Sequence, residues 1–265
     1  MDFTDIDPSE VTFKRNLFSS EFSEIFLVDI RNKTCVMKVH HDNGPVKHAS
    51  RDRETNIHIC ESAAYRRLME HGLGDRGIVP QFYGTIEQMD LSRYQPHLNM
   101  FLEDKNPPSA ILLEYIQNME MLYPHNFTKE LGEAFIRGIR EIHSALVQHC
   151  DAKPRNMMIV RGDRERVVWL DFDRAQTYHA ESLTERQRGF IEEEEIIVSQ
   201  LADLLQRTKE IRKDEDEREK QDQAQDHEQQ RDGKASEAET LYRCAVCKQV
   251  REYAKRGRCG DAEGV

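Results

Sequence analysis

From His149 to Asn156 the chain reads HCDAKPRN, and Asp171 follows fifteen residues after Asn156, at the end of the apolar run VVWL. Asp151, Lys153 and Asn156 put a carboxylate, an ammonium and an amide on one short loop. Phosphoryl transfer from ATP asks for such a set: a carboxylate to orient the attacking hydroxyl, oxygen ligands for Mg2+, and a cation near the γ-phosphate. In that chemistry Asp151 would orient the hydroxyl, Lys153 would neutralise the γ-phosphate and Asn156 would face a metal. Asp171, emerging where a strand ends, could return to the same cleft and share that metal.

Such side chains need a scaffold on both sides of a cleft, and the chain supplies two kinds of element. VTFKRNLF, EIFLVDI and CVMKVH are rich in aromatic and β-branched residues and are separated by SSEFS and RNKT. They read as an antiparallel meander. RETNIHICESAAYRRLMEHG reads as a helix, with Ile57, Ala64 and Leu68 on one face and Gly72 as its stop. IVPQFYGTI and SAILLEYI read as two further strands, and the excursion between them is irregular and closed by Pro107-Pro108. After residue 125 the period changes. Leu131, Phe135, Ile139, Ile142 and Leu146 recur at helical spacing behind Thr128 as N-cap. The strands MMIV and RVVWL flank the turn RGDRE, and a last apolar helix, EEEIIVSQLADLL, sets Ile197, Leu201 and Leu204 on one side. Strands first and helices later predict an α+β chain in two lobes.

The pattern H-x-D-x-K-P-x-N (His149, Asp151, Lys153, Pro154, Asn156), followed by D-F-x (Asp171, Phe172), resembles the catalytic loop and metal-binding segment of the protein-kinase superfamily. The resemblance covers residues 12–206 and implies a kinase-like fold, with an antiparallel-sheet N-lobe (12–116) and a reduced helical C-lobe (117–206). It implies ATP and Mg2+, with Asn156 and Asp171 as metal ligands. It also asks for a lysine in the third strand, which Lys38 supplies, and for a helical glutamate to hold it. Glu61 meets that demand because it falls in step with the apolar stripe, where an unpaired carboxylate would be costly; Glu54 is the other candidate. Glu114 and Ile116 match the hinge, whose backbone would meet the adenine.

Three features depart from the family pattern. The loop between the first two strands, SSEFS, has serines (Ser19, Ser20, Ser23) where backbone approach to phosphate favours glycine. Asp173 stands where protein kinases carry glycine, and the resulting D-F-D resembles phosphotransferases of the aminoglycoside and choline kinase type. No A-P-E occurs, and the run from Asp171 to the last apolar helix is too short for the extra helices of a typical large lobe. The expected activity is phosphate transfer from ATP to a protein Ser/Thr hydroxyl. The alternatives are a small-molecule hydroxyl acceptor and a pseudokinase that only binds.

The bulk numbers narrow the setting. With 49 acidic and 38 basic residues the formal net charge is −11, which argues against a general nucleic-acid binder. Apolar runs such as AILLEYI are too short for a bilayer, so no membrane span is expected. The opening MDFTDIDPSE lacks an apolar signal segment, and the six cysteines are scattered, which together suggest a cytoplasmic protein, with the nucleus open. Residues 207–265 read as a charged tail, helical passing to disordered. Within it Cys244 and Cys247 form a C-x2-C with Cys259 beyond, one ligand short of a zinc site.

Overall fold

The computed structural model describes residues 3, 5–44, 53–162 and 165–225, with side chains to residue 215; the cysteines at 244, 247 and 259 lie outside the described residues. Five strands form one antiparallel sheet: β1 (Val11–Ser19), β2 (Ser23–Ile30), β3 (Lys33–His40), β4 (Phe82–Ile86) and β5 (Ser109–Glu114), in the order β1-β2-β3-β5-β4. The β2–β3 turn places Arg31 and Asn32 at φ 48° and 61°, so Ile30 pairs directly with Lys33. Two consecutive positive φ values are what a two-residue hairpin with right-handed strand twist requires.

Alternation along the strands gives the sheet two buried faces. Phe26, Val28 and Ile30 of β2 and Cys35, Met37 and Val39 of β3 point to one side. The excursion 87–108 covers that side with Met89, Tyr94, Leu98 and Phe101. It is irregular, as its composition predicts, yet it closes a core of its own. The opposite face carries Val36, Lys38, Ile111 and Leu113 towards α1 (Ile57–Glu70). Asn56 caps α1 by accepting from the Ile59 N–H, and Gly72 at φ 70° ends the turn that follows it.

The second lobe begins with β6 (Met119–Met121) and α2 (Lys129–Ser144), which Thr128 caps at the Leu131 N–H. Short strands follow: β7 (Val147–Gln148), β8 (Met157–Val160), β9 (Arg166–Trp169) and β10 (Gln176–Thr177). They make a β6-β8-β9 sheet and a β7-β10 pair on either side of the HCDAKPRN loop. Leu131, Phe135, Ile139 and Ile142 are buried as their spacing predicts. Leu146 is not part of that stripe, because α2 stops at Ser144 and Leu146 turns to φ 58°.

The chain then runs through α3 (Glu185–Gln225), which packs on α2. Its buried stripe is Glu194, Val198, Leu201, Leu205 and Thr208, so the face is rotated from the expected Ile197–Leu201–Leu204 line. The helix continues past residue 206, and Lys209 donates to the Phe127 carbonyl at 2.5 Å. No described helix is long and apolar enough to cross a membrane. The architecture is α+β, an antiparallel-sheet lobe followed by a helical one, consistent with a kinase-like fold.

α2 approaches β9 closely because Gly138 faces the Trp169 indole. A Cβ at 138 would lie 2.8 Å from Trp169 Nε1. Gly138→Val is expected to lower the unfolding free energy by about 1–3 kcal/mol through overpacking. Gly162→Ala, with nothing within 4 Å of the added carbon, should stay within about 0.5 kcal/mol of the parent. Urea unfolding of both variants checks the contrast.

Candidate active site

Lys38 lies in the middle of β3, on the face turned to α1, with 6% of its surface exposed. Its Nζ is 2.7 Å from Glu61 Oε2 and 2.5 Å from Asp171 Oδ1. Burial opposes the charge and is the largest influence on it, but the Glu61, Asp171 and Asp173 carboxylates together hold the lysine above its ordinary pKa. Glu61 is 1% exposed; burial works against its ionisation, and Lys38 and His40 keep it below the usual carboxylate range. Glu54 takes another place. Its carboxylate accepts from the Thr55 and Asn56 N–H groups, both at 2.8 Å, just ahead of α1.

The loop from His149 to Asn156 wraps around Asp151. The Asp151 carboxylate receives Lys153 Nζ, Arg155 Nη2 at 2.6 Å and Asn156 Nδ2 at 3.1 Å. Burial pushes its pKa up, but the Lys153 and Arg155 cations outweigh that and leave it lowered. Asn156 also donates to the Asp151 carbonyl at 2.8 Å. Both Nδ2 protons therefore go to Asp151, which leaves Oδ1 as the atom able to bind a cation.

The two residues that aim this loop hold left-handed backbone: Cys150 at φ 62° and Asp171 at φ 64°. Such conformations persist only where the surroundings over-determine them. Glu194, reaching in from α3, accepts from the His149 N–H at 2.8 Å, the Cys150 N–H at 2.6 Å and His143 Nε2 at 2.8 Å. On the other side, His149 Nε2 donates to the Leu170 carbonyl at 2.9 Å, and the Leu170 N–H donates to the Asn156 carbonyl at 3.0 Å. Leu170, just ahead of Asp171, is thus tied to the loop through both its N–H and its carbonyl. An aromatic column then joins the lobes: His149 lies 4.6 Å from Phe172, Phe172 5.2 Å from Tyr65 of α1, and Tyr65 5.9 Å from Phe82 of β4.

Asp151, Lys153, Asn156, Asp171, Lys38 and Glu61 fall into two linked clusters, one around each aspartate, and Asn156 is bound through Leu170 to the second. Glu114 and Ile116 lie where β5 leaves for β6. The Glu114 N–H donates to the Gln81 carbonyl at 2.8 Å, its carboxylate accepts from the Gln81 N–H at 3.1 Å, and Ile116 is buried. At the β1–β2 turn, Ser20 Oγ accepts from the Phe22 and Ser23 N–H groups and Ser19 Oγ donates to Glu24 at 2.6 Å. Side-chain hydrogen bonds hold this hairpin in place of glycines.

Residue-level reading missed Glu194 and gave Arg155 no role. Glu194 could have been found from phase alone: it precedes Val198 and Leu201 on the buried line of α3, where a carboxylate needs donors.

As for a metal, the donor set fits Mg2+. One carboxylate and one amide oxygen are the small protein share that this ion takes when phosphate and water oxygens complete its octahedron. Among the described residues no group of three or more His, Cys, Asp or Glu is arranged to hold a metal by itself.

Two outcomes follow from this geometry. Glu194→Ala strands two buried N–H donors and His143, and should cost about 3–5 kcal/mol in urea unfolding. Asp173 is a separate test. Burial and the neighbouring Asp171 raise its pKa from 3.8 to about 7. A carboxyl raised in the folded state weakens folding progressively as pH climbs from the unfolded value to the folded one. The stability gained by Asp173→Asn in EDTA should therefore grow from pH 4 to pH 7 and level off above; a gain independent of pH would contradict the assignment.

The description "Lipopolysaccharide kinase (Kdo/WaaP) family" matches residues 15–191 of this chain. The human "Myosin light chain kinase family member 4" is 25% identical to it over 46% of this chain and 35% of that protein. This chain therefore aligns with about a third of that relative's length. With the match running across both lobes and every element that carries Lys38, Glu61, Asp151, Asn156 and Asp171, the chain belongs to the lipopolysaccharide kinase (Kdo/WaaP) family of kinase-like phosphotransferases, within the protein-kinase-like superfamily.

Proposed function

We propose that this chain transfers the γ-phosphate of ATP to an alcohol hydroxyl, and that the acceptor is a Ser or Thr side chain of a protein. The observation that carries the reading is the convergence of Lys38, Glu61 and Asp171 beside the Asp151–Asn156 loop. Bound Mg·ATP supplies the phosphoryl group, and the metal supplies neutralisation of its oxygens. Lys38, held by Glu61, binds the phosphates. Asp171 and Asn156 Oδ1 hold the Mg2+. The hinge backbone at Glu114 and Ile116 receives the adenine.

Asp151 orients the acceptor hydroxyl. A carboxylate kept below its ordinary pKa is a weak base at neutral pH, so its main work is to accept the hydroxyl's hydrogen bond and take the proton late in the transfer. Lys153, whose ammonium pairs with that carboxylate, supplies the cation that neutralises the γ-phosphate. The lysine two residues after the aspartate is what favours a protein acceptor, since D-x-K-P-x-N resembles Ser/Thr protein kinases.

A second reading, a saccharide hydroxyl, is favoured by different observations. The matched family is described by lipopolysaccharide. Asp173 makes the D-F-D of small-molecule phosphotransferases. The chain between β10 and α3 is a single short run, residues 178–184, which leaves little platform for an extended peptide. A transfer screen with radiolabelled ATP against Ser/Thr peptides and against mono- and oligosaccharides separates the two readings.

Asp151→Asn should leave Mg·ATP affinity nearly intact and cut the transfer rate by roughly 10²–10⁴-fold. Asp171→Asn should weaken Mg2+-dependent nucleotide binding itself. Calorimetry and turnover on both variants give the comparison. Loss of binding in Asp151→Asn with none in Asp171→Asn would reverse the roles, and a parent chain with neither Mg2+-dependent binding nor transfer would leave a pseudokinase.

A further inference from the structure

Glu61 holds two donors on a single oxygen, and only one of them is the lysine. His40 follows Lys38 by two residues on β3, so strand alternation puts both on the same face. His40 Nε2 lies 2.7 Å from Glu61 Oε2, the same distance as Lys38 Nζ from that atom. The imidazole is 1% exposed. We propose that His40 is a positioning residue for nucleotide binding: its Nε2–H fixes the Glu61 carboxylate so that Glu61 stays in place when Lys38 turns to phosphate. The proposal rests on the reading of Lys38 as the phosphate-binding group.

Two observations separate this from ordinary packing. First, His40 Nδ1 is buried and has no hydrogen-bond partner among the described residues. A leucine or phenylalanine would fill the space without that cost, so on stability grounds alone the ring is a poor choice. The bond to Glu61 is what the imidazole adds. Second, the ring is oriented from α1 itself. His58 packs edge-on against His40 with centroids 5.4 Å apart, and His58 Nε2 is in turn 2.9 Å from Glu87.

The tautomer follows from the same geometry. A neutral imidazole that donates through Nε2 carries its lone pair on Nδ1. Burial, the largest influence on His40, keeps its pKa below the ordinary value and so favours that neutral form. A neutral donor leaves the Glu61 charge to Lys38. It also leaves Glu61 anchored when Lys38, now shared with Asp171 at 2.5 Å, moves towards a ligand.

The test compares His40→Gln, whose amide Nε2–H can reach the same oxygen, with His40→Leu, which cannot donate. Both are made in the full chain, alone and with Glu61→Gln, and Mg·ATP affinity is read by calorimetry beside urea unfolding. His40→Leu should weaken affinity about tenfold, the loss of one hydrogen bond to a charged group. His40→Gln should recover it to within about threefold of the parent. In the Glu61→Gln background His40→Leu should cause no further loss, because the two residues act as one unit. Parent-like affinity in His40→Leu, additive losses, or Leu and Gln variants equally weakened would overturn the proposal.

Nitrogen NMR of the His40 ring judges the bond without nucleotide and without a folded Leu variant. The Nε2–H form should be present and its shift should move in Glu61→Gln; an Nδ1–H form overturns the proposal even where ATP binds. Absence of Mg·ATP binding by the parent chain, with the Nε2–H form intact, counts instead against the phosphotransfer reading.

Discussion

A lysine charge buried between two carboxylates is the constraint from which the rest of the site follows. Lys38 brings an ammonium into an interior that would reject it alone. Glu61 from α1 and Asp171 from the segment after β9 make its burial tolerable. The arrangement fastens a strand, a helix and a loop from the second lobe at one point. Each carboxylate is held in turn by the same ammonium, so the three charges keep one another in place.

The second constraint is conformational. Cys150 and Asp171 both occupy left-handed backbone, and two such residues facing one cleft need support. Larger kinase-like lobes have more helices available for this. Here α3 provides it, through a carboxylate that collects two loop N–H groups and a histidine. The helix that packs the C-lobe core thus also holds the HCDAKPRN loop in shape. The aromatic column from His149 to Phe82 extends the same support into the sheet lobe.

Departures from the family pattern find physical counterparts in this arrangement. The glycine-free β1–β2 turn is held by Ser19 and Ser20 hydroxyls, so its shape comes from side-chain bonds and not from backbone freedom. Asp173 adds a second acid beside Asp171, with a pKa raised by burial and by that neighbour.

What the sequence by itself determined is the set of groups and the elements that carry them. The strand alternation, the α2 stripe behind Thr128, the α1 stop at Gly72 and the contiguous Asp151–Lys153–Asn156 loop are all encoded within a few residues of chain. That is why they were legible. Local spacing left open whether Glu61 or Glu54 pairs with Lys38, and the tertiary structure settled it: Asn56 starts the helix after Glu54, whose carboxylate is taken by the Thr55 and Asn56 N–H groups. The same limit hid Glu194, which the apolar pattern of that helix left without a role, and it misplaced the α3 face by one residue. Lys38 and Asp171 are 133 residues apart, and Cys150 and Glu194 are 44 apart. Pairings at such separations depend on how distant elements pack, within a lobe as well as between lobes, because a buried charge or N–H group takes whichever partner the packed core brings within reach.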